Sequence, residues 1–300
     1  MKYRLLLILT AMIWGFAFVA QSVAMNDIGP LTFNAARSLL GAVSLLPVLL
    51  LSRREAPPVK AAFPRWLGIL FAGLIFSAGT IFQQCGILYT TASKASFITA
   101  TYILMVPLFG LFLGNVLRVN HVIGAVLAMA GVYFLSVTEA LTVGTGDLLV
   151  FLCAFCFSAH ILYLDYASVR YDPVEIAAGQ FLVCAVINLA GALLFETIRP
   201  EALLAAWQPI LYTGLLSTGA AYTLQIIGQK HLPPTECSML LSLEMVFGGL
   251  GGVFLLGETM TSREFVGVLC MTAGVFWSQL PSRALLSFSS FCSRRRSHTF

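Results

Sequence analysis

The sequence predicts an all-α membrane protein, ten transmembrane helices arranged as two inverted five-helix repeats. Three observations predict it. The 300-residue chain is 59% hydrophobic and only 10% charged, against about 25% charged in a typical soluble domain. Its apolar residues gather into ten runs of spanning length. The second half of the chain repeats glycine and glutamine positions of the first.

The runs come first. Roughly 20 mainly apolar residues in a helix cross about 30 Å of hydrocarbon. Ten such runs lie at 4–24, 31–51, 65–88, 92–115, 119–138, 147–168, 173–195, 207–229, 233–256 and 261–281. The connections are too short to hold a soluble domain, and the runs lack the alternating pattern of a membrane barrel. Lys2 and Arg4 before "LLLILTAMIWGFAF", with Ser22-Val23-Ala24 after it, also resemble a cleavable secretory leader. Spanning length and a place in the repeat predict instead that this run stays as span one.

Charge sets the orientation. With both termini on one side, that side holds Lys2, Arg4, Arg53, Arg54, Lys60, Arg65 and Arg118, then Arg170, Lys230, Arg283 and Arg294–Arg296. The opposite side holds only Lys94, Arg199 and Arg263. Positive residues favour the cytoplasm, so both termini are expected there, in a multi-pass protein of the cell membrane. The net charge of +4 follows from this bias and points to no nucleic acid. The tail, 282–300, reads as a solvated basic cytoplasmic segment able to touch anionic lipid.

The repeat is visible in named residues. Gln83 and Gly86 match Gln225 and Gly228 at an offset of 142. Gly114, Gly124 and Gly131 match Gly257, Gly267 and Gly274 at an offset of 143. The units are 4–138 and 147–281. Five spans per unit, an odd number, set the two copies in opposite orientation, the design of secondary transporters that work by alternating access.

Three stretches carry a family resemblance: "AMIWGFAFVAQ" on span one, "ARSLLGAVSLLPVLLL" on span two and "FLLGETMTSREFVGVLCMTAGV" near the end of the second unit. They resemble the drug/metabolite transporter superfamily, and within it the EamA family of ten-helix permeases and exporters. The resemblance covers nearly everything but the tail. It implies two EamA repeats and a substrate cavity near the membrane centre, lined by spans one, three, four, six, eight and nine. The chain departs from the family pattern at Asn115, which stands where the second repeat has Glu258, and at Ser158. It departs again at Met245, which follows Glu244 where the family often has proline, so a helix break there is left open.

Polar groups inside a span are costly against lipid, so they are expected to face protein or a wet cavity. Glu244 lies halfway along span nine. On a continuous helix Cys237, Gly248 and Gly251 share its face, a small-residue stripe that lets another helix approach. It is a candidate for binding an amino-bearing solute or for carrying a proton; a polar clamp between helices is the alternative. His160, near the centre of span six, suits proton exchange or a structural hydrogen bond. Gln83 and Gln225 are repeat mates, expected at symmetry-related places in the cavity. Gln84 adds another amide. Trp14 and Tyr102 lie mid-span and suit stacking on a solute or core packing. Arg37, on span two, is expected to snorkel outward or to pair with Asp27. Glu258 and Glu264 are expected to be solvated at an outer turn.

Other chemistry finds no pattern. Cys153 and Cys156 have C-x-x-C spacing on a membrane helix and read as packing residues. There is no phosphate-binding loop, no H-E-x-x-H and no nucleophile–base spacing, so no cofactor and no metal is expected. Two functions remain. One is a secondary transporter exporting an amino acid, related metabolite or drug-like compound across the lipid bilayer. The other is a membrane-embedded enzyme or sensor using Glu244 and His160.

Overall fold

The computed structural model describes residues 1–51, 62–113, 117–136, 143–280 and 285–286. Arg53, Arg54, Lys60, Gly114, Asn115 and most of the basic tail lie outside them. Among the described residues the chain is helical apart from a two-residue antiparallel pairing, Leu117 with Leu286 and Arg118 with Leu285.

The helices are α1 (Lys2–Ala24), α2 (Pro30–Leu51), α3 (Arg65–Ile87), α4 (Ala92–Thr99), α5 (Tyr102–Phe112) and α6 (Val119–Ser136). The second half holds α7 (Thr145–Ser168), α8 (Pro173–Phe195), the short α9 (Pro200–Ala205), α10 (Trp207–Leu211), a π-helical segment (Tyr212–Ala221) and α11 (Tyr222–Gln229). It ends with α12 (Pro234–Leu241), α13 (Glu244–Leu256) and α14 (Ser262–Gln279). Taking α4–α5, α10–α11 and α12–α13 each as one segment, eight of these are long and apolar enough to cross a membrane. α6 and α14 are 18 residues each. Arg263 and Glu264 open α14 with charge.

Local chemistry sets the ends. Asp172 accepts from the backbone of Val174 and Glu175 before Pro173 opens α8. Thr261 and Glu264 form a reciprocal capping box on α14. Gly257, at φ +67°, closes α13 in a left-handed turn that a side chain would strain.

Two of the predicted spans are broken in the middle. α4 gives way to α5 at Ala100–Thr101, and α12 to α13 at Ser242–Leu243. At both places the backbone tightens into bonds three residues back, Leu104 N to Thr101 O at 2.9 Å and Val246 N to Leu243 O at 3.0 Å. A hydroxyl competes for the helix carbonyls at each: Thr101 donates to Ile98 O and Ser242 to Met239 O, both at 2.7 Å. The break left open at Met245 therefore exists, a few residues earlier and without proline. It also means that Cys237 and Glu244 do not share one continuous helical face.

Helices of the first half of the chain pack on helices of the second. α2 packs on α8 and α6 on α14; α1 packs on α13 and α11, as α7 packs on α5 and α3. The repeat-mate glycines meet crosswise. A Cβ on Gly124 would lie 2.6 Å from Gly274 O, and one on Gly131 would lie 2.7 Å from Gly267 O. Such backbone approach is how helices associate without water to drive them. The molecule is turned outward for an apolar solvent: Leu39, Val43, Leu193 and Phe195 are exposed, while Gln21, Asn34, Arg37 and Glu244 are buried.

Candidate functional site

Where the two halves of the chain meet, α1, α2, α3, the α4–α5 break, α7, the π-helical segment, α11 and α13 close around a cavity of about 30 Å³. That is room for two or three waters, each needing about 10–15 Å³. All six residues nominated from sequence line it: Trp14, Gln83, Tyr102, His160, Gln225 and Glu244. Arg37, Gln21, Thr99, Ser217 and Tyr222 line it as well.

Glu244 is the first residue of α13, and Tyr102, its counterpart by the offset of 142 (Thr101 by the offset of 143), is the first residue of α5. The two breaks thus deliver a carboxylate and a phenol to the same space, where they are electrostatic neighbours. Glu244 Oε1 and the Tyr102 hydroxyl have no hydrogen-bond partner among the described residues. Glu244 is only 3% exposed. Its half-helix is pressed onto α1, where a Cβ on Gly15 would come 2.7 Å from Glu244 O.

The other groups are held more firmly. Trp14 Nε1 donates to Ser217 O at 3.2 Å, and Thr10 donates to Ala221 O at 3.2 Å. Two carbonyls of the π-helical segment are thereby taken by α1, at the widened turn where functional sites often gather. Gln83 Nε2 donates to Thr99 Oγ1 at 3.3 Å. Gln225 Oε1 and Gln21 Oε1 are buried without a partner. His160 Nε2 lies 2.8 Å from Gln180 Oε1 on α8, so Nε2 donates with Gln180 as oriented. Gln84 does not line the cavity; its Nε2 donates to Gln21 O at 3.3 Å.

Three expectations are corrected. Arg37 neither snorkels nor pairs with Asp27: it is 4% exposed, its Nε donates to Asn34 Oδ1 at 2.9 Å, and it faces the cavity. α2 is covered by α8 and the π-helical segment along this face, so the side chain has no outward path. Asn34, Arg37 and Ser38 fall at i, i+3 and i+4, a polar face that marks the buried side. Glu258 is not simply solvated. It accepts from Ala92 N at 2.8 Å and Ser93 N at 3.0 Å, across to the start of α4. Glu264 caps its own helix and pairs with Lys94 at 2.8 Å.

Known proteins give the same picture. An uncharacterised transporter of Archaeoglobus fulgidus is 30% identical over 270 residues, covering 90% of this chain and 83% of its own. The uncharacterised transporter YoaV of Bacillus subtilis is 26% identical over 92% of this chain and 96% of its own. The threonine/homoserine exporter RhtA of Escherichia coli is 27% identical over 53% of this chain and 54% of its own. A solved crystal structure at 19% identity superposes with TM-score 0.71 over 93% of this chain and 96% of its own, a likeness of fold. The EamA-like transporter family matches residues 1–137 and again 144–279. With that double match across nearly its whole length, and with its apolar spanning helices, this multi-pass membrane protein belongs to the EamA-like transporter family.

Proposed function

We propose that the chain is a ten-span secondary transporter of the cell membrane that exports a small metabolite by alternating access. The solute class is an amino acid, a related metabolite or a drug-like compound. Residues 4–138 and 147–281 act as inverted halves, with both termini cytoplasmic. The observation that carries this reading is the central cavity: polar groups from both halves converge in a space that lies between them, and several have no protein partner. The crosswise glycine contacts of α6 and α14 support the inverted pairing. The RhtA relatives, named as threonine/homoserine exporters, favour an amino acid and the outward direction. The family is one of transporters, which leaves the enzyme reading of Glu244 and His160 without support.

In the closed form the cavity is too small for such a solute. Admission requires the halves to part, and the breaks at Ala100–Thr101 and Ser242–Leu243 are natural pivots. Ion pairs bridge the halves at both ends. Arg4 with Glu236 and Arg65 with Glu175 lie on the proposed cytoplasmic side. Lys94 with Glu264, and Glu258 on the start of α4, lie on the proposed outer side. Glu244 and His160 are the two cavity groups able to exchange a proton, so proton coupling is assigned to them. The test is counterflow of labelled threonine, leucine and phenylalanine into preloaded proteoliposomes. Uptake driven by internal solute supports transport; no movement of any of them above empty liposomes refutes the amino-acid reading.

A further inference from the structure

The cavity holds one buried guanidinium and one buried carboxyl group that do not pair with each other. Arg37 spends its Nε on Asn34 Oδ1 and lies 5.4 Å from the Phe33 ring. Its two terminal nitrogens have no hydrogen-bond or ion-pair partner among the described residues. Glu244 Oε1 is likewise unpartnered. Tyr222 stands within electrostatic reach of both charges. Ionisable groups left short of partners in a low-dielectric interior are costly unless something completes them.

The unpartnered acceptors are informative. Glu244 Oε1, Gln21 Oε1 and Gln225 Oε1 are buried, lack donors and line the same space. An ammonium group has three N–H donors and no acceptor. A carboxylate is the natural partner of a guanidinium fork with two free ends. A solute carrying both groups on one carbon presents a partner for each to the one cavity that Arg37 and Glu244 both line. Trp14 and Phe157 leave an apolar wall for its side chain.

We infer that Arg37 and Glu244 form a charge clamp for a zwitterionic solute. Arg37 takes the carboxylate, and Glu244 takes the ammonium group with Gln21 and Gln225. The inference rests on the transport reading for the cavity's role, yet it makes a separate demand: the protein must recognise both charges. An organic cation without a carboxylate leaves Arg37 unmatched, and a neutral compound leaves both ions unmatched.

The test is binding to the purified full chain, read as the ligand-induced rise in unfolding midpoint. Threonine, leucine and phenylalanine are each compared with their methyl ester, which removes the anion, and their N-acetyl derivative, which removes the cation. The clamp predicts that at least one free amino acid binds and that each blocked form of it binds about tenfold more weakly or worse. In Arg37→Gln the preference for the free acid over the ester is lost. In Glu244→Gln the preference over the N-acetyl form is lost. Equal binding of free and blocked forms overturns the clamp, as does absence of binding by all three amino acids. If a variant fails to fold, the wild-type comparison alone decides. Flux without charge discrimination sinks the clamp and leaves transport standing; zwitterion binding without flux does the reverse.

Discussion

Replacing Gly15 by alanine tests the contact that seats Glu244. The added Cβ would lie 2.3 Å from Phe247 Cβ, 2.7 Å from Glu244 O and 2.8 Å from Gly248 N. Ordinary contact begins near 3.4 Å, so α1 and α13 must separate by about 1.1 Å. Two of these atoms are backbone and the third is a Cβ that its own backbone fixes, so no side-chain rotation relieves the clash. Overpacking of this kind costs about 1–3 kcal/mol, and here it also shifts the backbone that carries the carboxylate. The comparison is Gly191→Ala, whose Cβ would meet only the end of the Leu31 side chain at 3.0 Å, a flexible group. Thermal unfolding of the purified protein in detergent should show Gly15→Ala clearly below wild type and Gly191→Ala much closer to it. Solute counterflow should fall in Gly15→Ala. Equal midpoints for Gly15→Ala and wild type would refute the close α1–α13 seat.

Other expectations are as direct. Glu258→Ala removes two charge-assisted bonds at the start of α4 and should lower stability by about 1–2 kcal/mol in the same assay, with Glu258→Gln in between. Arg4→Ala breaks an exposed pair and should leave the unfolding midpoint unchanged, while altering solute exchange if that pair latches the cytoplasmic side. Glu244→Gln should flatten the dependence of flux on an imposed pH gradient; a normal rate with the wild-type pH profile removes Glu244 from proton coupling.

Much of the fold was legible because a bilayer imposes length and composition on each span. The eight long segments fall within a few residues of the apolar runs. The interruptions were not legible. Ala100–Thr101 and Ser242–Leu243 contain neither proline nor glycine, and a serine or threonine hydroxyl breaks a helix only in some surroundings. The π-helical segment escaped for a related reason. Its span is the least hydrophobic of the eight, but low hydropathy does not distinguish a widened turn, and two of its carbonyls are engaged by Trp14 and Thr10 from a distant helix. The cavity nominations were drawn from polar or aromatic residues far from the span ends, a signal that burial in lipid makes informative. Arg37 was misread because position along the span was weighed and helix face was not; Asn34 and Ser38 on that face held the clue. Glu258 was misread because its partners, Ala92 N and Ser93 N, are backbone groups far away in sequence.

The central claim is that the cavity between the halves is the solute path. The most direct measurement places a single cysteine at Ser217, in a chain whose native cysteines are replaced, and applies membrane-impermeant thiol reagents from either side of sealed vesicles. Ser217 lines the cavity and is 3% exposed in the closed form. The account predicts labelling from both sides and protection by a transported solute. Labelling from neither side, or labelling that solute leaves unchanged, would contradict it.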